Sequence, residues 1–158
     1  MKTVTTFMLL VFLTNTIMAK ELITKILINA SPDKVWSILT NFNAYPNWNP
    51  FITSITHKEE VKVGNKIKAK IDGMTFKPKI LVYDPNQEFR WIGHLFFTGL
   101  FDGQHRFQLI DNGDGTTTFI QSETFKGILV PLFNKKLDTD TKAGFEAMNE
   151  KLKELAQY

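Results

Sequence analysis

The 158-residue sequence contains no cysteine and only three histidines. Without cysteine there is no disulfide framework, no thiol nucleophile and no cysteine-ligated zinc or iron–sulfur site. Three histidines are too few for a histidine-rich metal centre, and the sequence also lacks a glycine-rich phosphate loop and a serine nucleophile elbow. We therefore predict no metal ion and no cofactor.

A strong excess of charge of one sign is also missing. Nineteen Lys and Arg against sixteen Asp and Glu leave a net charge of +3, and the basic residues are spread along the chain. Nucleic-acid binding proteins usually cluster their basic residues on one surface. The sequence therefore predicts no nucleic-acid partner, and it gives no indication of the oligomeric state.

What the sequence has in abundance is phenylalanine. Hydrophobic residues make up 43% of the chain and charged residues 22%, which is typical of a globular protein, and the length suits one domain. Fourteen residues are Phe. So many rings indicate either a very aromatic core or an aromatic-lined cavity.

The first nineteen residues differ in composition from the rest. Residues 4–19 carry no charge, and the apolar part from Phe7 to Leu13 is too short to span a bilayer. A basic start, a short apolar middle and a small residue at Ala19 are typical of a secretory signal peptide. We predict residues 1–19 as a signal peptide and residues 20–158 as the single domain. Cleavage would export a chain with no stable membrane span, whereas an uncleaved segment would leave the protein membrane-associated or cytoplasmic.

The remaining pattern predicts an α+β domain. Residues 22–29 alternate like a strand, and Ser31 and Pro32 are typical of the start of a helix, here predicted to Thr40. A second short helix is expected within residues 41–49. Six further strands without intervening helices predict an antiparallel meander. They are expected at residues 51–58, 66–73, 74–84, 88–97, 101–110 and 116–126.

After Pro131 the apolar residues return at helical spacing, which predicts a helix of about 24 residues. The predicted architecture is a curved seven-stranded antiparallel sheet wrapped around this long C-terminal helix, with two short helices after the first strand. Such a sheet leaves a hollow wherever its inward side chains do not fill the space.

Five segments resemble the START-like (SRPBCC) superfamily, of the polyketide cyclase/dehydrase and lipid-transport type, in a bacterial branch. The resemblance implies a helix-grip fold with a cavity for hydrophobic small molecules. Members of the superfamily include enzymes, carriers and sensors, so the fold alone does not decide the function. The segments are INASPDKVW at 28–36, YPNWNPF at 45–51, GLFDG at 99–103, FIQSETF at 119–125 and GFEAMN at 144–149.

Alternation along the strands predicts which side chains face inward. One strand would direct Phe89, Trp91, Gly93 and Leu95 inward, and the next would direct Phe101, Gly103, His105, Phe107 and Leu109. In the segment 74–84, Met74, Phe76, Pro78, Ile80 and Val82 are expected inside and Tyr83 outside. If the loop 111–115 closes about Gly113, then Phe107 lies opposite Phe119, His105 opposite Gln121, and Gly103 opposite Glu123.

These faces define the candidate cavity, which is mainly apolar with one polar cluster of His105, Gln121 and Glu123. His57 and His94 are expected at the surface. The predicted cavity residues are Met74, Phe76, Trp91, His105, Phe107, Phe119, Gln121, Glu123, Phe125, Phe145 and Met148.

Two functions fit this pattern. One is the binding or transport of a small hydrophobic molecule, such as a lipid or polycyclic compound, with the polar cluster orienting it. The other is an enzyme of cyclase, dehydratase or hydrolase type that uses His105 and Glu123 as acid and base. The cluster is also consistent with a purely internal hydrogen-bond network. The sequence favours binding or transport, because it supplies no nucleophile, metal site or oxyanion site for a specific reaction.

Overall fold

The computed structural model describes residues 19–158, so the predicted signal peptide lies outside the described residues except for Ala19. Its strands are β1 (Ala19–Ile28), β2 (Ile52–His57), β3 (Ile67–Ile71), β4 (Met74–Phe76), β5 (Lys79–Asp84), β6 (Glu88–His94), β7 (Asp102–Asp111) and β8 (Thr117–Lys126). Its helices are α1 (Pro32–Leu39), a 3-10 turn (Phe42–Ala44), α2 (Tyr45–Trp48), α3 (Val130–Lys136), a π-helical turn (Leu137–Thr141) and α4 (Lys142–Gln157). The fold is α+β, as the sequence predicts.

The strands form two antiparallel sheets, not the single seven-stranded sheet that we expected. One sheet has the order β1-β8-β7-β6-β5 and the other has the order β2-β3-β4. The expected strand 74–84 is divided between them at Lys77 and Pro78. Proline has no N–H to donate to a ladder, which explains the break. The sheets still meet there, because Ile67 N donates to Pro78 O and Ile80 N donates to Asn65 O.

The short helices lie where the sequence predicts them. Ser31 Oγ accepts a hydrogen bond from Lys34 N at 3.4 Å and caps α1, with Pro32 in its first turn. Tyr45, at the start of α2, donates its hydroxyl to Leu39 O at 2.7 Å. Burial raises the pKa of Tyr45, so its hydroxyl remains a donor over the whole physiological range. This bond ties α2 to the end of α1.

The C-terminal helical run is longer than expected and contains a π-helical turn. It extends from Val130 to Gln157 as α3, the π turn and α4 without leaving helical backbone angles. Phe145, Met148 and Leu152 of α4 are fully buried, and α4 packs chiefly on β1. Within residues 19–158, no helix is both long enough and apolar enough to cross a membrane.

The register of the β7–β8 hairpin differs from the prediction. His105 lies opposite Glu123, Phe107 opposite Gln121, and Leu109 opposite Phe119. The loop is five residues, 112–116, because Asn112 N donates to Thr116 O and Asp114 Oδ1 accepts from Thr116 N. It is therefore centred on residue 114 and not on Gly113. A shift of one residue in the centre moves each pairing by two, so every side chain keeps its predicted face.

A bulge in β5 reverses the predicted faces at its end. The register shifts between Ile80 and Val82, so Val82 lies opposite the outward Arg90. Tyr83, expected toward water, lies opposite Phe89 and packs with Trp36 at 5.3 Å between ring centroids. A bulge adds one residue to one strand and therefore changes the alternation beyond it.

Candidate functional site

The interior of the molecule has two parts, a filled half and a hollow half. The hollow half contains a cavity, which is described below. Seven of the eleven residues that the sequence predicts for a cavity lie in the filled half, and none of them lines this cavity. All are at most 2% exposed, and they belong to the packed core instead of to a cavity wall. The seven residues are Trp91, His105, Phe107, Phe119, Gln121, Phe145 and Met148.

Close aromatic packing explains why this half holds no cavity. Phe107 packs against Trp91 with ring centroids 5.2 Å apart and against Phe119 at 6.0 Å. Phe89 contacts both Trp91 and Phe107. Offset and edge-to-face contacts of this kind fill space with rings on neighbouring strands. The abundance of phenylalanine is thus explained largely by the core.

The hollow half is a cavity of about 160 Å³ between the two sheets and the start of the C-terminal helical run. An apolar cavity of about 150 Å³ is large enough to hold benzene. Four predicted residues lie in its wall: Met74, Phe76, Glu123 and Phe125. The other wall residues are Phe51, Ile71, Asp72, Gly93, His94, Leu95, Phe101, Gly103, Phe133, Lys136, Leu137 and Thr141.

Two glycines explain why this half is hollow. Gly93 on β6 and Gly103 on β7 are direct cross-strand partners, and both lie in the cavity wall. The next inward pair on the same two strands is Trp91 and His105, which belongs to the filled half. At that level two large rings occupy the space that the glycines leave open. The sheet therefore lacks two adjacent inward side chains at the level of the cavity.

A chain of polar side chains leads from the core to the cavity. Gln121 Nε2 donates to His105 Nε2 at 3.1 Å, and His105 Nδ1 donates to Glu123 Oε2 at 3.1 Å. The tautomer of His105 with hydrogen on Nδ1 fits both bonds. His105 is fully buried and stacks on Trp91 with ring centroids 5.0 Å apart, whereas Glu123 is in the cavity wall. We call Gln121, His105 and Glu123 the polar chain.

These two hydrogen bonds confirm the prediction that His105, Gln121 and Glu123 lie together. The expected pairing across the strands is wrong. His105 is opposite Glu123 and not opposite Gln121. Of the three residues, only Glu123 lies in the cavity wall. Both ring nitrogens of His105 are bonded to the other two members of the polar chain. The polar chain thereby presents the carboxylate of Glu123 to whatever occupies the cavity.

An ion pair lies at the rim of the cavity. Lys136, the last residue of α3, contacts Asp72 Oδ2 at 2.6 Å, and both residues line the cavity. Their side chains are 46% and 47% exposed. The hydrogen bond to Asp72, followed by its charge, raises the pKa of Lys136. Asp72 is held in a left-handed conformation with φ of 47° in the β3–β4 turn, so the pair joins that turn to the helical run.

His94 is exposed, as expected, and it also lies in the cavity wall. Its Nδ1 is 2.7 Å from Asp102 Oδ1, and Asp102 also accepts from Gly99 N at 3.0 Å. His94 and Asp102 are cross-strand partners at the ends of β6 and β7. These contacts hold the loop between β6 and β7 against the ends of the two strands, beside the cavity. Residues 19–158 contain no group of three or more His, Asp or Glu side chains placed to hold a metal ion.

Large apolar side chains are exposed next to the cavity. Phe96 and Phe97 follow the wall residue Leu95, and Leu132 precedes the wall residue Phe133. The two segments are joined, because Ile128 N donates to Gly99 O and Leu129 N donates to Leu100 O. Exposed apolar patches of this kind are typical of interaction surfaces. We call Phe96, Phe97, Ile128 and Leu132 the apolar rim.

Comparison with known proteins places the chain in a family. Residues 21–157 match the family model described as polyketide cyclase / dehydrase and lipid transport. Among curated protein sequences, none matches this chain.

Solved structures share the fold. The Zhui aromatase/cyclase from Streptomyces has a TM-score of 0.71 at 13% identity, with 88% of this chain and 94% of that chain covered. A START superfamily protein from Mycobacterium smegmatis has a TM-score of 0.65 at 20% identity, with 85% and 98% covered. Norcoclaurine synthase from Thalictrum flavum, solved in complex with dopamine and hydroxybenzaldehyde, has a TM-score of 0.67 at 14% identity, with 98% and 95% covered. These neighbours include both enzymes and a protein named only by its superfamily.

Proposed function

This chain belongs to the polyketide cyclase / dehydrase and lipid transport family, and we propose that it binds or transports a small apolar molecule in the cavity of the hollow half. The observation that carries the proposal is the cavity itself, whose wall is built mainly from apolar side chains, among them Phe51, Phe101 and Phe133. Burial of apolar surface supplies the affinity in such sites, and a few polar groups supply the orientation. Glu123 is the polar group at the inner end.

The apolar rim supports transport as well as binding. Phe96 and Phe97 are 85% and 64% exposed, close to residues that line the cavity. An apolar ligand that enters or leaves past these rings remains in contact with apolar surface. The rim thereby reduces the exposure of the ligand to water during transfer.

The enzymatic alternative has less support from the geometry. It requires His105 and Glu123 to act on the ligand together, yet His105 is fully buried and both of its ring nitrogens are bonded. A general acid or base must reach the proton that it moves, directly or through one water. Glu123 alone has that access. Binding is therefore the function that the site supports better.

The proposal is tested by filling the cavity. Gly93→Leu adds a side chain inside the hollow half, where a Cβ at residue 93 would meet only Pro78 at 3.7 Å. We expect the wild-type protein to bind propylbenzene with one-to-one stoichiometry in a calorimetric or NMR titration, and Gly93→Leu to abolish that binding while the protein remains folded.

The matched control is Gln104→Leu, which adds the same side chain to the outward face of the adjacent strand. It lies opposite Ile92 and next to Gly103. We expect Gln104→Leu to bind propylbenzene as the wild-type protein does. Equal binding by wild type and Gly93→Leu would show that the apolar probe uses another site and would contradict the proposal.

Export is a separate proposal. We infer from the uncharged stretch at residues 4–19 that cleavage follows Ala19 and that the protein is exported. The processed chain would begin at Lys20, whose Nζ contacts Asp138 at 2.6 Å. The intact mass of protein recovered from its own host decides the matter. A full-length chain in the soluble cytoplasm would overturn this proposal.

A further inference from the structure

Glu123 has one carboxylate oxygen committed to the protein and one that faces the cavity. Oε2 accepts from His105 Nδ1, and the side chain is 15% exposed in the cavity wall. Gly103 leaves the space for this oxygen, because a Cβ at residue 103 would collide with Glu123 Oε1. The glycine therefore both opens the cavity and holds a place for the carboxylate at its inner end.

The hydrogen bonds of the polar chain run in one direction. Gln121 donates to His105 and His105 donates to Glu123, so each donor is used before the cavity is reached. An ionised carboxylate only accepts hydrogen bonds. The cavity consequently offers an acceptor at its inner end, and the matching group on a ligand is a donor.

The charges around the cavity lead to the same conclusion. The described wall contains two carboxylates, Asp72 and Glu123, and one ammonium group, Lys136. Lys136 and Asp72 are paired at 2.6 Å at the rim, which leaves the charge of Glu123 without a cationic partner in the wall. A ligand carboxylate placed beside Glu123 would bring two like charges together away from water, which is costly.

We propose that the cavity takes arylalkylamines, in which an aromatic ring fills the apolar walls and a protonated amine donates to Glu123 Oε1. The inference rests on the proposed binding function and adds the chemical class of the ligand. A cavity of about 160 Å³ holds one ring with a short chain. Hydrogen bonds to charged groups are about twice as strong as neutral ones, so the amine sets the preference among ligands of equal size. Fatty acids and aryl carboxylates are the disfavoured class.

Three probes of matched size test this class on the wild-type protein. Phenethylamine, propylbenzene and 3-phenylpropionate share a ring and a two-carbon spacer, and at pH 7 they end in an ammonium, a methyl and a carboxylate. We expect phenethylamine to bind at least about tenfold more tightly than propylbenzene, and 3-phenylpropionate to bind most weakly. The measurement is calorimetric or NMR titration at one ionic strength.

Glu123→Gln identifies the group responsible. The amide keeps the size of the side chain and can still accept from His105. We expect the affinity for phenethylamine to fall about tenfold, to the level of propylbenzene, while propylbenzene binds as before. A thermal unfolding curve checks that the variant is folded, and the probe series on the wild-type protein stands even if it is not.

The outcomes separate the two proposals. If propylbenzene binds and phenethylamine binds no more tightly, the amine class is wrong and the apolar site remains. If 3-phenylpropionate binds most tightly of the three, the amine class is likewise overturned. If none of the three probes binds, the proposed function fails and the ligand class fails with it.

Discussion

The filled half and the hollow half share three strands, β6, β7 and β8, yet one is solid and the other is open. In the filled half, Trp91 and His105 are cross-strand partners and stack on each other. One inward position further along, Gly93 and Gly103 are partners and present no side chain. The cavity therefore lies where two adjacent inward side chains are missing from a continuous sheet.

The two halves also differ in how their polar groups are used. Within the filled half, Gln121 and His105 are buried and bonded to each other. Glu123 continues the same chain but ends in the cavity wall. Because buried polar groups must be paired to avoid a desolvation cost, the core fixes the carboxylate in place before any ligand arrives. The filled half thereby supports the site in the hollow half.

We expect the largest loss of stability from a cavity-creating substitution in the filled half. Phe107 is fully buried and contacts the rings of Phe89, Trp91 and Phe119. Phe107→Ala removes a ring from a tightly packed core, and we expect a loss of about 3–5 kcal/mol in the free energy of unfolding. Urea denaturation measures it.

The matched change in the hollow half is Phe133→Ala. Phe133 is partly buried, packs against Phe101 and lies in the cavity wall. We expect Phe133→Ala to cost clearly less than Phe107→Ala, since the space beside it is already open, and to weaken propylbenzene binding. Equal losses of stability for the two variants would mean that the halves are packed alike.

An intermediate effect is expected at the boundary between the halves. Gly103→Ala places a methyl group against Glu123 Oε1 and must move the carboxylate. We expect a loss of about 1–3 kcal/mol in the free energy of unfolding, because the bond from His105 is disturbed. The preference for phenethylamine over propylbenzene should disappear with it, which the same probe titrations measure.

Gly93→Ala is the control for this change. A Cβ at residue 93 meets Pro78 at an ordinary contact distance of 3.7 Å and no atom of Glu123 within 4 Å. We expect Gly93→Ala to lower the affinity for all three probes alike and to keep their order. A Gly103→Ala protein that retains the amine preference would show that Gly103 does not place the carboxylate.

The sequence predicts faces better than pairings. Alternation along a strand has a period of two whatever the neighbour, so it places His105, Gln121 and Glu123 on one face even though the expected register is wrong. The register depends on the loop 112–116, where Asp114 draws Thr116 into the turn through side-chain hydrogen bonds. Such local contacts move the centre of the loop by one residue without changing its length or its turn-rich composition.

The position of the cavity was also within reach of the sequence. Alternation places Gly93 and Gly103 on the inner face, but it does not distinguish the neighbouring rings of the core from the residues of the cavity wall. A pair of inward glycines marks the gap more directly than the rings do, because rings fill space. The wall residues Asp72 and Lys136 had no such signal. They meet through a turn and a helical run that are 64 residues apart in sequence (136 − 72), and their pairing is a property of the fold.

We expect the smallest loss of stability from removing the ion pair of Lys136 and Asp72 at the edge of the cavity. Lys136→Met breaks the pair with Asp72, and because both side chains are about half exposed we expect a loss of stability below about 1 kcal/mol. The pKa of Lys136 is raised in the folded protein, so this contribution is present at neutral pH and is lost as the pH rises through that raised value. Urea denaturation of both proteins should therefore show a difference at pH 7 that vanishes in strong alkali and shrinks in 1 M salt. In Lys136→Met the charge of Asp72 has no partner at the cavity, so we expect the affinity for phenethylamine to rise, by less than about fivefold. A weaker affinity in this variant would contradict an electrostatic role for the pair of Lys136 and Asp72.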